Sequence, residues 1–136
     1  MNAKRAMISL GLLLASSAYV MQVRAAGSLY TAEQAKRGEA LYTSKQCSTC
    51  HGADLNGLGP TPPLNGDDFF GKYQGQPMSM LFGKIHTTMP ATAPGSLAPN
   101  EVADLIAYLL SQSKYAAGGT EFPSNGDGLK APLPKP

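Results

Sequence analysis

The 136-residue chain has only two cysteines, Cys47 and Cys50, and no tryptophan. Two cysteines allow at most one disulfide, so a disulfide framework does not hold this fold. Histidine is equally scarce, with His51 and His86 alone. A four-ligand zinc site would have to recruit every cysteine and histidine in the chain, and His51 directly follows Cys50, which suits a tetrahedral ion poorly. No β alternation and no internal repeat is visible, so the expected class is all-α. A large charge of one sign is also missing. There are 11 Lys and Arg against 9 Asp and Glu, and Lys4, Arg5 and Arg24 belong to an N-terminal targeting segment. Without those three, 8 basic residues face 9 acidic ones, which gives no support for nucleic-acid binding.

That N-terminal segment has three regions in order. Lys4 and Arg5 precede an apolar run over 6–20, broken by Ser9, Ser16 and Ser17, and Val23-Arg24-Ala25 supplies a cleavage context. The run is shorter than the roughly 20 residues that span a bilayer. The expectation is an exported protein, with a signal peptide over 1–25, a folded domain over 26–115 and an irregular tail over 116–136. Export implies a periplasmic location and no membrane span after cleavage. The domain is small, and its side chains alone make a marginal core.

Cys47-Ser48-Thr49-Cys50-His51 is the most specific signal present. Two thiols at this spacing can add across the two vinyl groups of one porphyrin. The histidine that follows can then ligate the iron through an imidazole nitrogen. A redox dithiol is the competing reading, but its usual βαβ context is absent. The expected cofactor is one haem c, covalent through Cys47 and Cys50, whose apolar bulk would fill out the small core.

Helical periodicity places the main elements. A first helix is expected over 31–43, with Thr31 and Gln34 matching a capping box and Ala35, Gly38, Leu41 and Tyr42 at helical spacing. Gly38 inside it costs about 1 kcal/mol against alanine and suggests a close approach by another backbone. Lys36, Arg37 and Lys45 read as a solvated face. Residues 52–66, rich in Gly and Pro, read as a loop. Met78, Leu81, Phe82 and Ile85 predict a helix over 78–88, stopped by Pro90. Val102, Leu105, Ile106, Leu109 and Leu110 predict another over 99–112, with Pro99 at its first position and Ala98 as a weak cap. In the tail, Phe122 is the residue that would clamp it.

A sixth iron ligand has four candidates. Met78 lies on the apolar stripe and reads as core, and Met80 lies off it. His86 is the competing ligand. Met89 sits where Pro90 has just ended a helix, so its side chain can point from a loop into a pocket, and it is the expected ligand. Thioether ligation raises a haem potential.

These residues resemble the class I c-type cytochrome family over roughly 31–113. The likeness rests on the haem motif, on Pro62-Pro63-Leu64, on Met89-Pro90, on Gly38 and Tyr42 in the first helix, and on Leu105 and Tyr108 in the last. It implies a cytochrome c fold of three to five helices around one covalently bound haem, with the two terminal helices crossing at Gly38. It also implies a proline carbonyl, from Pro62 or Pro63, accepting from the other nitrogen of His51. Residues 69–110, notably Thr87-Thr88-Met89-Pro90 and Pro94-Gly95-Ser96-Leu97, look like cytochromes that serve quinoprotein alcohol and sugar dehydrogenases. The resulting expectation is a periplasmic one-electron carrier and not an enzyme. Its partners would be a dehydrogenase donor and an oxidase or cytochrome acceptor. The alternative class is a haem peroxidase or gas sensor with a labile methionine ligand.

Overall fold

The computed structural model describes residues 28–136, so the signal-peptide reading of 1–25 lies outside the described residues. Five α-helices and one 3-10 turn follow in order: α1 (Ala32–Ser44), α2 (Ser48–His51), α3 (Gly66–Phe70), α4 (Met78–Thr88), α5 (Pro99–Ser111) and the 3-10 turn at Asp127–Lys130. Among the described residues there is no strand, only isolated bridges at Gln74–Leu133 and Pro77–Pro132. This is an all-α architecture, consistent with the cytochrome c fold that the resemblance implies. No described helix is long and apolar enough to cross a membrane.

Helix α1 begins at Thr31, whose Oγ1 accepts from the Gln34 N–H at 3.1 Å. Only that half of the expected capping box forms. The Gln34 side chain does not reach back to the cap; it is buried and bonded to Phe122 in the tail. Helix α5 begins at Ala98, which offers no side-chain acceptor. The Glu101 carboxylate accepts from the Ala98 N–H at 2.9 Å, which satisfies one of the free donors at a helix start.

The α1–α5 pair is the main helix contact. Gly38 lies directly against the backbone carbonyl of Asp104 and near the Tyr108 Cβ. A glycine here gives up helix propensity so that two backbones can touch, as its position inside an apolar stripe suggests. One turn on, Tyr42 and Tyr108 pack with ring centroids 5.4 Å apart. All five stripe residues of α5 are buried, and so are Ala103, Asp104, Ala107 and Tyr108. Helix α5 is therefore covered on nearly every side. Each fully buried Val, Leu, Ile or Phe contributes about 1.5–3 kcal/mol by removal from water.

The expected solvated face of α1 is partly wrong. Arg37 makes two bonds to Asp104, Nε to Oδ2 and Nη2 to Oδ1, each 2.9 Å, and its Nη2 also reaches Glu121 at 2.8 Å. Lys45 pairs with Glu101 at 2.9 Å. These residues tie α1 to α5 and to the tail, which helical periodicity alone does not reveal.

The tail over 116–136 has little regular structure, but Phe122 and Leu133 belong to the core. Tyr30 donates through its hydroxyl to the Tyr115 carbonyl at 2.6 Å, and the Gly118 N–H donates to the Tyr30 carbonyl at 2.8 Å.

Candidate functional site

The Cys47–His51 segment folds as one helical turn. Cys47 is its cap, itself in helical geometry at φ −60°, ψ −33°. His51 N–H donates to the Cys47 carbonyl at 3.0 Å and Gly52 N–H to the Ser48 carbonyl at 3.0 Å. In a helix, positions i, i+3 and i+4 share a face. Cys47, Cys50 and His51 stand at those positions, so the turn puts both thiols and the imidazole on one side. This short helix was read from sequence only as a motif, since four residues carry no apolar period.

The surroundings fix the turn. The Cys47 N–H donates to the Tyr42 carbonyl at 3.0 Å, the Gly57 N–H to the His51 carbonyl at 2.9 Å and the Leu58 N–H to the Cys50 carbonyl at 3.1 Å. The Tyr42 hydroxyl donates to the Gly52 carbonyl at 2.7 Å. Gly52 ends the turn at φ 77°, ψ 154°, a region open essentially to glycine alone. Beyond it, Asn65 Nδ2 donates to the Asp54 carbonyl at 3.0 Å and to Asn56 Oδ1 at 3.2 Å. The Gly66 N–H donates to the buried Ser113 hydroxyl at 3.1 Å, which starts α3 inside what reads from sequence as the end of a loop.

Both cysteines are free thiols, Cys47 half-buried and Cys50 exposed. Burial pushes the Cys47 thiol up, more than Lys45 nearby lowers it. A reactive dithiol is favoured by the opposite, a site that stabilises the thiolate, which the surroundings of Cys47 do not provide. Among the described residues, no group of three or more His, Cys, Asp or Glu is arranged to hold a metal ion.

His51 is half-buried, and its Nδ1 is a buried polar atom without a well-formed hydrogen bond. Burial lowers the imidazole pKa, and the Pro62 carbonyl facing the ring partly offsets this. The carbonyl close enough to act on the ring is that of Pro62, although it stops short of good hydrogen-bond geometry at Nδ1. With Nδ1 turned toward Pro62, Nε2 is the ring nitrogen that could ligate iron. Leu58, bonded through its N–H to this turn, is 52% exposed and offers apolar surface beside it. Two thiols and an imidazole on one face, with an apolar rim beside them, fit a covalently held haem.

Met89 stands on a different element. It is the C-cap of α4, in extended geometry, and its N–H donates to the Ile85 carbonyl at 2.9 Å. Its side chain is half-buried against the core. Met78 is buried and Met80 is 57% exposed, in line with their positions on and off the stripe. His86 lies over Phe82, ring centroids 5.9 Å apart.

No curated protein and no solved structure shows significant similarity to the chain. Residues 33–109, more than half of the 136, match the family model described as cytochrome c oxidase, cbb3-type, subunit III, and the chain belongs to that family of c-type cytochrome domains.

Proposed function

We propose that this cytochrome is a periplasmic one-electron carrier. Cys47 and Cys50 would hold one haem c, and His51 and Met89 would ligate its iron. Electrons arrive from a quinoprotein dehydrogenase and leave toward a terminal oxidase. The single observation that carries the reading is the Cys47–His51 turn, which sets two free thiols and a half-buried imidazole on one face.

The haem, when bound, supplies a one-electron couple between ferrous and ferric iron. The chain's own residues do the rest. Cys47 and Cys50 would anchor the haem, and His51, with the Pro62 carbonyl beside its ring, would ligate the iron. Met89 would supply the second ligand, and its thioether would raise the potential. The apolar core excludes water. With His51 and Met89 both on the iron, no position would be open for a substrate, and a carrier would then be favoured over a peroxidase or gas sensor.

The matched family's description names an oxidase, which supports the acceptor side of this path. The donor side rests on the resemblance of residues 69–110 to quinoprotein-linked cytochromes, and the location rests on the N-terminal segment. Mass spectrometry of exported protein tests the cofactor: the mature chain gains the mass of one haem, and a chain without it sinks the proposal. Rapid carbon monoxide binding by the reduced protein would favour the sensor or peroxidase class. For the donor, the oxidised cytochrome is mixed with quinoprotein dehydrogenases and their substrates. Reduction no faster than that of an unrelated cytochrome removes the quinoprotein assignment and leaves electron transfer standing.

A further inference from the structure

Helix α4 begins without a side-chain cap, because its cap residue is Pro77. Its first amide is satisfied from far along the chain: the Met78 N–H donates to the Ala131 carbonyl at 2.9 Å. The tail replaces the missing capping side chain. Beside that bond the Gly75 N–H donates to the Leu133 carbonyl at 2.8 Å, and the Leu133 N–H donates to the Gln76 carbonyl at 2.8 Å. The Leu133 side chain is 1% exposed, in the same core as Met78 and Leu81. The 3-10 turn at Asp127–Lys130 packs on α4, whose main helix neighbour is α5. The tail is tied at both ends, by Phe122 at Gln34 and by the Tyr115 hydroxyl, which donates to the Pro134 carbonyl at 3.1 Å.

Met89 caps the opposite end of this helix and is hydrogen-bonded to its last turn. Eleven helical residues make a rod of about 16 Å. A shift of the rod at its start moves Met89 with it. We propose that the C-terminal tail, through Leu133 and the Ala131 carbonyl, positions α4 and thereby holds the Met89 thioether on the haem iron. This rests on the reading of Met89 as the sixth ligand. Leu133 is a positioning residue: it touches no reacting atom and acts through Met78 and the helix. A thioether is a weak ligand for ferric iron, so small changes in its placement shift the balance between bound and free. In this protein the tail is part of the redox site's support, although it lies outside residues 33–109.

The test uses full-length, haem-loaded ferric protein, with imidazole as a probe competing for the sixth position. Leu133→Ala is expected to raise the apparent imidazole affinity about tenfold and to weaken the sulfur-to-iron band at the red edge of the spectrum. Leu133→Met, which keeps the volume, restores both. Phe122→Ala is the control, because it removes an equally buried tail residue at the α1–α5 seam. It lowers stability but leaves imidazole affinity within about twofold. If Leu133→Ala does not fold, Leu133→Val carries the comparison. Equal effects of the two sites, or none at Leu133, overturn the inference while leaving Met89 ligation intact. A wild-type protein without the sulfur band, or a Met89→Ala variant that keeps it, overturns the ligand assignment and the inference together.

Discussion

The Gln34 carboxamide closes a two-bond ring with the backbone of Phe122. Nε2 donates to the Phe122 carbonyl at 3.0 Å, and Oε1 accepts from its N–H at 2.6 Å. Gln34 is 1% exposed and Phe122 2%. A buried carboxamide is tolerated because both ends are paired with groups that also need partners. Gln34→Ala strands a buried N–H and a buried carbonyl, each costing about 1–3 kcal/mol. The expected loss is about 2–4 kcal/mol in urea unfolding. A loss below about 1 kcal/mol would mean that the tail is not anchored there.

Gly38→Ala sets two effects against each other. Helix propensity favours alanine by about 1 kcal/mol. The new Cβ would overlap the Asp104 backbone carbonyl, which is not a side chain that can swing away. Overpacking of this kind costs about 1–3 kcal/mol or more, so the steric effect wins. Arg37 spans the same seam through its two bonds to Asp104, and a forced separation weakens them too. Net destabilisation by thermal or urea unfolding is expected; unchanged or increased stability would place the α1–α5 crossing elsewhere.

How far the sequence carries the fold varies by element, for physical reasons. Helices α4 and α5 were legible because their stripes have a helical period and prolines mark their ends. Gly38 was legible because its cost inside a helix demands a compensating contact. Helix α2 was legible as a motif but not as a helix, since four residues carry no period. Gln34 shows the limit: as a polar residue at the third helical position it reads as a capping side chain. Its true partner is Phe122, in a stretch without periodicity. The core role of Leu133 was equally hidden, since one leucine among prolines gives no pattern. Arg37 and Lys45 were misjudged because pairing with Asp104 and Glu101 depends on the helix crossing, which local sequence does not encode. At the site, Cys47, Cys50 and His51 were singled out by spacing, whereas only the folded loop places the Pro62 carbonyl beside the ring.

Glu101 links the start of α5 to the end of α1. It accepts from Lys45 at 2.9 Å and from the Ala98 N–H at 2.9 Å. These bonds hold its carboxyl below the ordinary value of 4.5. The unfolded chain therefore binds this proton more readily than the folded one. The contribution is full above about pH 4.5 and is lost as pH falls through the depressed folded value. The side chains are 23% and 39% exposed, so screening limits the pair to about 0.2–1 kcal/mol. Glu101→Gln should lower stability at neutral pH by that amount and flatten the acid limb of the stability profile. Urea midpoints measured from about pH 3 to 7 check it. An acid limb as steep as that of the parent would show that Glu101 is not among the groups that drive acid unfolding.

The Tyr42–Gly52 contact separates side-chain from backbone control of the cysteine-bearing turn. Tyr42→Phe keeps the ring beside Tyr108 but removes the 2.7 Å bond to the Gly52 carbonyl. One unpaired acceptor costs about 1–2 kcal/mol. Burial pushes the Tyr42 phenol well above its ordinary range, so the donor persists at alkaline pH and the loss should not vary between neutral and mildly alkaline conditions. Gly52→Ala acts on the backbone. At φ 77°, ψ 154° an L side chain is strained by about 1–3 kcal/mol, and the new Cβ meets the Asp54 carboxylate at 2.8 Å. The carboxylate can rotate away, so most of the cost is conformational. Relaxation of that strain would turn His51 and Cys50, which directly precede Gly52. The expected order is therefore a larger loss for Gly52→Ala than for Tyr42→Phe, both in urea midpoint and in the fraction of exported protein carrying haem. A Tyr42→Phe loss equal to or above that of Gly52→Ala would show that the tyrosine bond, and not the glycine backbone, fixes the turn.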